Sequence, residues 1–333
     1  MARSAASIDW LAVPRFCRHG TAIESCPICR VSIETAERSA AQRAKRPTVA
    51  RRVSTPGGPR TPARTRGGLT IRHESRAEDD GFRSTLAPGL RSTPDAQRLA
   101  EALARASARL RVLATDPPGL YAEVRDEPDP DEASWLALLI TYIGPLDGTE
   151  DPFASVRAVR TTWHSEALPL LRDVALGPRT SHDPARGDAT LRAYRRWAQR
   201  AGSQAAAFTA DSTWTPQRRF ERVFERLALP GLQRRARYDL LVTLGALGRY
   251  PLRAPSLLLS EDDPVSRAAK RVFGIGDRLT LEHRAQDLAS AAAVPVEAFD
   301  LALECWARNE WISLGVDARD DEVLVRVLAA LGQ

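Results

Sequence analysis

Three groups of residues combine types and spacings that could support chemistry. Cys17, His19, Cys26 and Cys29 lie within thirteen positions of one another. Four such donors suffice for a closed tetrahedral zinc site. Cys26-Pro27-Ile28-Cys29 has the two-residue gap of a zinc knuckle, whereas the single residue between Cys17 and His19 demands an extended strand or a sharp bend. The expectation is a structural zinc held by all four; incidental cysteines in a frayed terminus are the competing reading. The second group is the turn Phe273-Gly274-Ile275-Gly276 between two helical patterns. Its glycines permit positive φ and close approach of backbone N–H groups to an outside ligand, and the next helix aims its N-terminus at the same place, which favours phosphate. The third is Asp300, reached 24 residues after Gly276 and following Val294-Pro295-Val296. Taken alone it reads as a helix N-cap, a position aspartate favours.

Around these lie weaker candidates. Lys270, Arg271 and Arg278 flank the turn and are expected to add phosphate contacts. Glu282, His283 and Trp306 are candidates for a pocket. His164, beside Glu166, suggests acid–base work, but a histidine without a visible partner is commonly structural. Trp135, Tyr142, Tyr194 and Trp197 could stack on bases; core packing is the stronger expectation for Trp135 and Tyr142, and a solvated helix face for Tyr194 and Trp197.

The turn, the helix after it, the Val-Pro-Val loop and Asp300 together resemble the helix-hairpin-helix DNA glycosylases. That resemblance implies a hairpin gripping a DNA phosphate through Phe273, Gly274, Ile275 and Gly276, and Asp300 as the catalytic aspartate. The lysine of lyase-type members is missing, since Asp277 and Arg278 stand there. A longer resemblance covers about residues 131–309. Ile143-Gly144-Pro145, Asp151-Pro152-Phe153, Gly202-Ser203-Gln204, RRFERVFERLALPG, RYDLLVTLGALGRY, AAKRVFGIGD and FDLALECW are similar to the alpha-glutamyl/putrescinyl thymine pyrophosphorylase family. This implies a glycosylase-like fold, action on hypermodified pyrimidines, and a phage or phage-defence setting.

The rest of the chain must position these groups. Residues 1–34 form the zinc module. Residues 35–92 read as a disordered basic linker rich in Ser, Thr, Pro, Gly and Arg, which cannot offset its ordering entropy. Arg38 to Arg72 holds ten Lys or Arg and no acid, so with a chain total of +6 the remainder sums to −4. The basic character therefore sits in the tail, which would add salt-dependent, sequence-independent affinity for DNA or serve as a tether. From Thr93 to residue 333 helical signals dominate. Pro94 stands in the first turn of a helix carrying Leu99, Leu103, Leu110 and Leu113, and amphipathic helices recur at RRFERVFERL and RYDLLVTLGALG. No convincing period-two alternation appears. The expected fold is all-α: a helix-hairpin-helix glycosylase-like domain with a small zinc module and a disordered linker.

No run of about 18 apolar residues and no secretory leader is found, so a cytoplasmic protein without a membrane partner is expected. With 43% hydrophobic residues the chain can build a core, and Cys305 falls within it, far from the other cysteines. The leading expectation is a monofunctional DNA glycosylase excising a modified pyrimidine, needing no organic cofactor. Transfer at a pyrophosphate-activated pyrimidine is the second reading, although neither a P-loop nor a dinucleotide fingerprint is present. A non-catalytic DNA-binding adaptor is the third.

Overall fold

The computed structural model describes residues 78–333 apart from 166, 261 and 262; the Cys17/His19/Cys26/Cys29 module and the basic stretch as far as residue 77 lie outside the described residues. Twelve helices and no strand occur among the described residues. They are α1 Thr93–Thr115, α2 Leu120–Asp126, α3 Pro130–Ile143, α4 Ala154–Val159, α5 Gly187–Arg200, α6 Gln204–Thr209, α7 Pro216–Arg226, α8 Arg234–Ala246, α9 Pro264–Phe273, α10 Arg278–Ala291, α11 Ala298–Arg308 and α12 Asp321–Leu331. The all-α class is as expected. None of these helices is long and apolar enough to cross a membrane.

One local device starts many of the helices. Ser92, Asp129, Thr215 and Asp263 each accept a first-turn backbone N–H, with a proline at the first or second helical position. The side-chain oxygen satisfies an orphan donor while proline presets φ where its missing N–H costs nothing. Asp277 and Asp320 cap α10 and α12 without proline. At α1 the cap is Ser92, one residue earlier than the Thr93 expected from the pattern.

The apolar stripes bury into two adjoining clusters. One gathers α2 to α8, including Trp135, Tyr142, Tyr194, Trp197, Phe208, Phe220, Tyr238 and Leu241. The other gathers α9 to α12 with Ala87, Leu90 and the first part of α1. Helix α1 ties them: Leu99 and Leu103 belong to the second, Leu113 to the first, and Leu110 packs against both. The aromatic side chains weighed as base-stacking groups are interior. Trp135–Tyr194, Tyr194–Trp197 and Trp197–Phe208 centroids are 6.1, 5.3 and 5.3 Å apart. Tyr194 and Trp197 thus lie on the buried face of α5, not its solvated one, because that helix packs an aromatic row against α3 and α6.

The boundary expected at residue 92 falls inside packed structure. Ala87, Leu90 and Ser92 are buried, and Gly89 N–H donates to the Val272 carbonyl at 2.9 Å. This segment thereby supports the end of α9 and the glycine turn after it. The approach requires glycine: a Cβ at Gly89 would lie 2.2 Å from the Arg271 carbonyl oxygen and 2.8 Å from Gly274 N. Backbone on both sides leaves little room to yield, so Gly89→Ala is expected to destabilise the domain by about 1–3 kcal/mol. Urea unfolding measures the effect, and an unchanged midpoint would mean that segment 78–92 packs differently.

Candidate functional site

Helix α11 is apolar from Ala298 to Ala307 except at Asp300 and Glu304, four residues apart and therefore on one face. Both are buried, Asp300 at 1% exposure. Two lone carboxylates could not remain charged there. Arginines from the other cluster meet them. Arg179, in the loop before α5 and itself 1% exposed, places Nη2 2.7 Å from Asp300 Oδ1 and Nη1 3.1 Å from Glu304 Oε2. The same guanidinium grips Asp239 of α8 through Nε at 3.0 Å and Nη2 at 2.9 Å.

Two consecutive arginines at the start of α8 complete the network. Arg234 Nη1 stands 2.5 Å from Asp300 Oδ2 and 2.8 Å from Oδ2 of Asp263, the cap of α9. Neither contact is a well-aligned hydrogen bond, so this corner is held by charge proximity. Arg235 reaches Glu304 at 2.9 Å, and Arg308 reaches the same carboxylate at 2.6 Å from one turn along α11. Four guanidinium groups thus face four carboxylates across the seam between the two clusters. Asp239, Arg235 and Arg308 form its wetter edge, with side chains 15, 12 and 34% exposed.

The charges divide the carboxylates into two kinds. Burial pushes Asp300 upward, but Arg234 and Arg179 more than reverse this and hold it below the usual carboxylate range. Glu304 is likewise raised by burial and brought below its usual value by Arg179, Arg235 and Arg308. Asp239 remains raised: burial outweighs Arg179, and neighbouring Asp300 adds repulsion. Asp263 is raised for the same reasons, with Arg234 only partly compensating. Asp300 is therefore an anion at neutral pH, as stabilising a developing cation requires. It is not a helix cap; Glu297 precedes α11, and the Asp300 oxygens are taken by guanidinium groups.

The glycine turn lies on the same half of the molecule. Gly274 ends α9 at φ +83°, Asp277 caps α10, and Ile275 is 99% exposed at the tip. Lys270 and Arg278 are exposed beside it, Arg278 standing 3.9 Å from Glu282. Two residues expected at a DNA contact are otherwise employed. Phe273 is fully buried and packs on Phe299, with ring centroids 6.5 Å apart, joining the turn to the residue before Asp300. Arg271 lies over the Trp306 ring at 4.7 Å.

The pocket candidates do not converge on Asp300. Glu282 is buried and accepts from Ser256 Oγ at 2.9 Å and Leu259 N–H at 2.8 Å, fixing the strap before α9. Trp306 is buried and donates from Nε1 to the Asp95 carbonyl. His283 is exposed. His164 is exposed too, with Nε2 2.8 Å from Asp129 Oδ2. The hydrogen bond to Asp129 raises its pKa, so it is an ion-pair partner of the α3 cap. Cys305 is buried, which pushes its thiol up to about 12 and leaves it inert. Among the described residues no group of three or more His, Cys, Asp or Glu is arranged to hold a metal. No family model matches the chain, and no curated protein or solved structure is significantly similar to it.

Removing one partner of a buried ion cluster costs about 3–5 kcal/mol, because the remaining charges lose their compensation. Arg179→Met is expected to destabilise the domain by about that amount at pH 7. The deficit narrows with acid. Asp300 and Glu304, depressed in the folded state, stabilise it above their unfolded values, and this contribution disappears as pH falls through their folded ones. In the variant the stranded carboxylates instead favour protonation. Denaturant melts from pH 7 to below the ordinary carboxylate values of about 4 check this; a constant difference across that range would remove Arg179 from the role of counter-ion.

Proposed function

We propose that the protein is a DNA glycosylase-like enzyme that excises a modified pyrimidine. The observation supporting this most directly is Asp300. It is a dehydrated carboxylate kept anionic at a seam between two helical clusters, on the second helix after an exposed glycine turn. The helix-hairpin-helix fold and the likeness to the alpha-glutamyl/putrescinyl thymine pyrophosphorylase family belong to the same proposal. In this reading the backbone of Gly274 to Gly276, with Lys270 and Arg278, holds a phosphate of the distorted strand. The target nucleotide leaves the stack. The C1′–N1 bond breaks with its electron pair leaving on the pyrimidine, and the Asp300 carboxylate faces the cationic sugar. Water then adds to C1′, one of its protons is released, and the departing base takes up a proton.

Asp300 is sealed in the free protein, so Arg179 must withdraw for a sugar to approach. It is the network guanidinium carried by a loop, and its departure strengthens the negative field at Asp300. Because Asp277 and Arg278 stand just after the hairpin, where lyase-type glycosylases carry their lysine, the enzyme leaves an abasic site uncleaved.

The arginines favour a second reading. Arg179, Arg234 and Arg235 converge beside Asp300, and guanidinium forks match phosphate oxygens. A pyrimidine hydroxymethyl diphosphate could take them from the carboxylates. An amine nitrogen would then bond to the methylene carbon as its C–O bond breaks and pyrophosphate leaves. For the N-terminal module we carry a structural zinc on Cys17, His19, Cys26 and Cys29, argued from the donor set alone. Metal analysis is expected to find stoichiometric zinc that is lost from a Cys26→Ser/Cys29→Ser variant; a metal-free native chain would sink this assignment.

The deciding experiment incubates the full chain with phage DNAs carrying different hypermodified pyrimidines. Abasic sites are counted and released bases weighed by mass spectrometry. Free base is expected from the native chain and at least about 100-fold less from Asp300→Asn, the scale of removing one transition-state charge. A melting curve and DNA binding serve to show that the variant is folded. An altered base in intact DNA supports the diphosphate reading. Unchanged DNA that is still tightly bound would favour a non-catalytic adaptor.

A further inference from the structure

A second basic site lies on the same loop as Arg179 but faces outward. The segment from Leu171 to Gly187 and the first turns of α5 enclose a cavity of about 750 Å³, within the size range of small-molecule and nucleotide sites. Arg172 and Arg186 from the loop and Arg192 and Arg196 from α5 line it. Arg192 leans on Asp188 at 3.5 Å. Among the described residues no carboxylate lies within ion-pair distance of Arg172, Arg186 or Arg196. Asp173 and Asp188 also line the cavity, leaving arginine in excess, four to two. This differs from the interlobe seam, where arginines and carboxylates balance.

The floor has a distinct chemistry. His182 lines the cavity beside Gly187, and a Cβ at Gly187 would lie 2.3 Å from His182 Cε1. Glycine therefore lets the imidazole abut the start of α5. Burial lowers the His182 pKa, so the ring is neutral at pH 7 and adds no charge of its own; it offers an N–H donor or a lone pair. Helix α5 begins at Gly187 with no side-chain cap; the Asp183 carbonyl takes the Gly187 N–H at 2.7 Å, so it is the N–H groups of Asp188 and Ala189 that open beside the arginines. His182 is fixed from behind, its backbone N–H bonded to Thr180 Oγ1 and Thr180 Oγ1 in turn bonded to the Tyr142 carbonyl.

We infer that this cavity is a phosphate-binding site, separate from the glycine turn, that takes a phosphate-bearing ligand with Arg172, Arg186 and Arg196 on its oxygens and His182 beside it. The phosphate belongs either to the backbone of a nucleic acid strand or to a free nucleotide. Leu170, 83% exposed next to the cavity wall, is an apolar group of the kind that lies against bases or sugars bordering a bound phosphate. The site does not depend on which reaction Asp300 performs, so its test stands apart from base release.

The test follows the His182 ring resonances of the full chain by NMR while inorganic pyrophosphate is added, then repeats the titration with a single-stranded thymidine oligonucleotide. Pyrophosphate is expected to shift His182 and leave His164 and His283 in place. Arg186→Gln/Arg196→Gln should weaken this binding by about tenfold or more, the scale of one charge-assisted contact. Both side chains are exposed, so folding is not at stake. If the oligonucleotide also moves His182, the phosphate comes from a strand; if only pyrophosphate and thymidine monophosphate do, it comes from a free nucleotide. No shift of His182 with any of the three, or equal affinity in the double variant, overturns the site and leaves the arginines as a solvated helix face.

Discussion

Everything in the domain is arranged around a dehydrated ion cluster. A carboxylate buried to 1% exposure cannot stay charged unless opposite charge is brought to within contact. Asp300 has Arg179 on one oxygen and Arg234 on the other. Those two then need Asp239 and Asp263 to share the remaining positive charge. This coupled requirement sets the geometry. Helix α8 must present Arg234 and Arg235 at one end and Asp239 a turn later; α11 must present Asp300 and Glu304 on one face; and the loop before α5 must thread Arg179 between them. The apolar clusters supply cohesion, but they have no direction. The ion network fixes how one packs against the other.

The same cluster separates two carboxylates that would otherwise behave alike. Asp239 and Asp300 share a single nitrogen of Arg179. Asp300 has a second guanidinium, Arg234, which it shares with Asp263, and is held low; among the described residues Asp239 has no second guanidinium within ion-pair distance and is held high. Groups whose environments drive their proton affinities apart can divide the anionic and proton-carrying roles of a reaction. In the closed arrangement they serve only each other. A well-packed apolar seam can be as stable as an ionic one, so cohesion alone does not call for these eight groups. Departure of Arg179 would unmask both carboxylates at once.

How much of this was legible in the sequence follows from the range of each interaction. Helix starts could be read because a capping side chain and its proline act within three residues; Asp129-Pro130, Thr215-Pro216 and Asp263-Pro264 carry the same signal as Pro94, the one such start among the sequence expectations. The glycine turn and the prominence of Asp300 were also local. Glu304 could have been found, since an acid four residues from Asp300 on a helix otherwise reading Phe-Leu-Ala-Leu-Cys-Trp is anomalous. Arg179 could not. Its partners stand 60 and 121 positions away, and nothing in Gly-Pro-Arg-Thr-Ser sets that arginine apart from its neighbours. Tyr194 and Trp197 misled for a related reason: α5 is arginine-rich all along, and only its tertiary neighbours decide which side is covered. Phe273 reads as part of a ligand-binding turn, but it is the anchor that lets Gly274 and Ile275 project.

Charge accounting also limits how the domain can meet nucleic acid. Ten basic residues crowd into positions 38–72, and the rest of the chain is net acidic by four. A smooth acidic surface would repel a strand, so the proposed contact with nucleic acid would depend on places where positive charge escapes neutralisation. The arginines of the seam are already committed to carboxylates, as are Arg105, Arg157 and Arg160 on the surface. Among the described residues, Lys270 at the glycine turn and the trio Arg172, Arg186 and Arg196 have no carboxylate within ion-pair distance. The two patches flank the chain elements that carry Asp300 and Arg179. The loop bearing Arg172 and Arg186 is also the one that carries Arg179. Binding energy gathered at the outer face of that loop is therefore positioned to act on its inner face, where opening the ion cluster carries its cost.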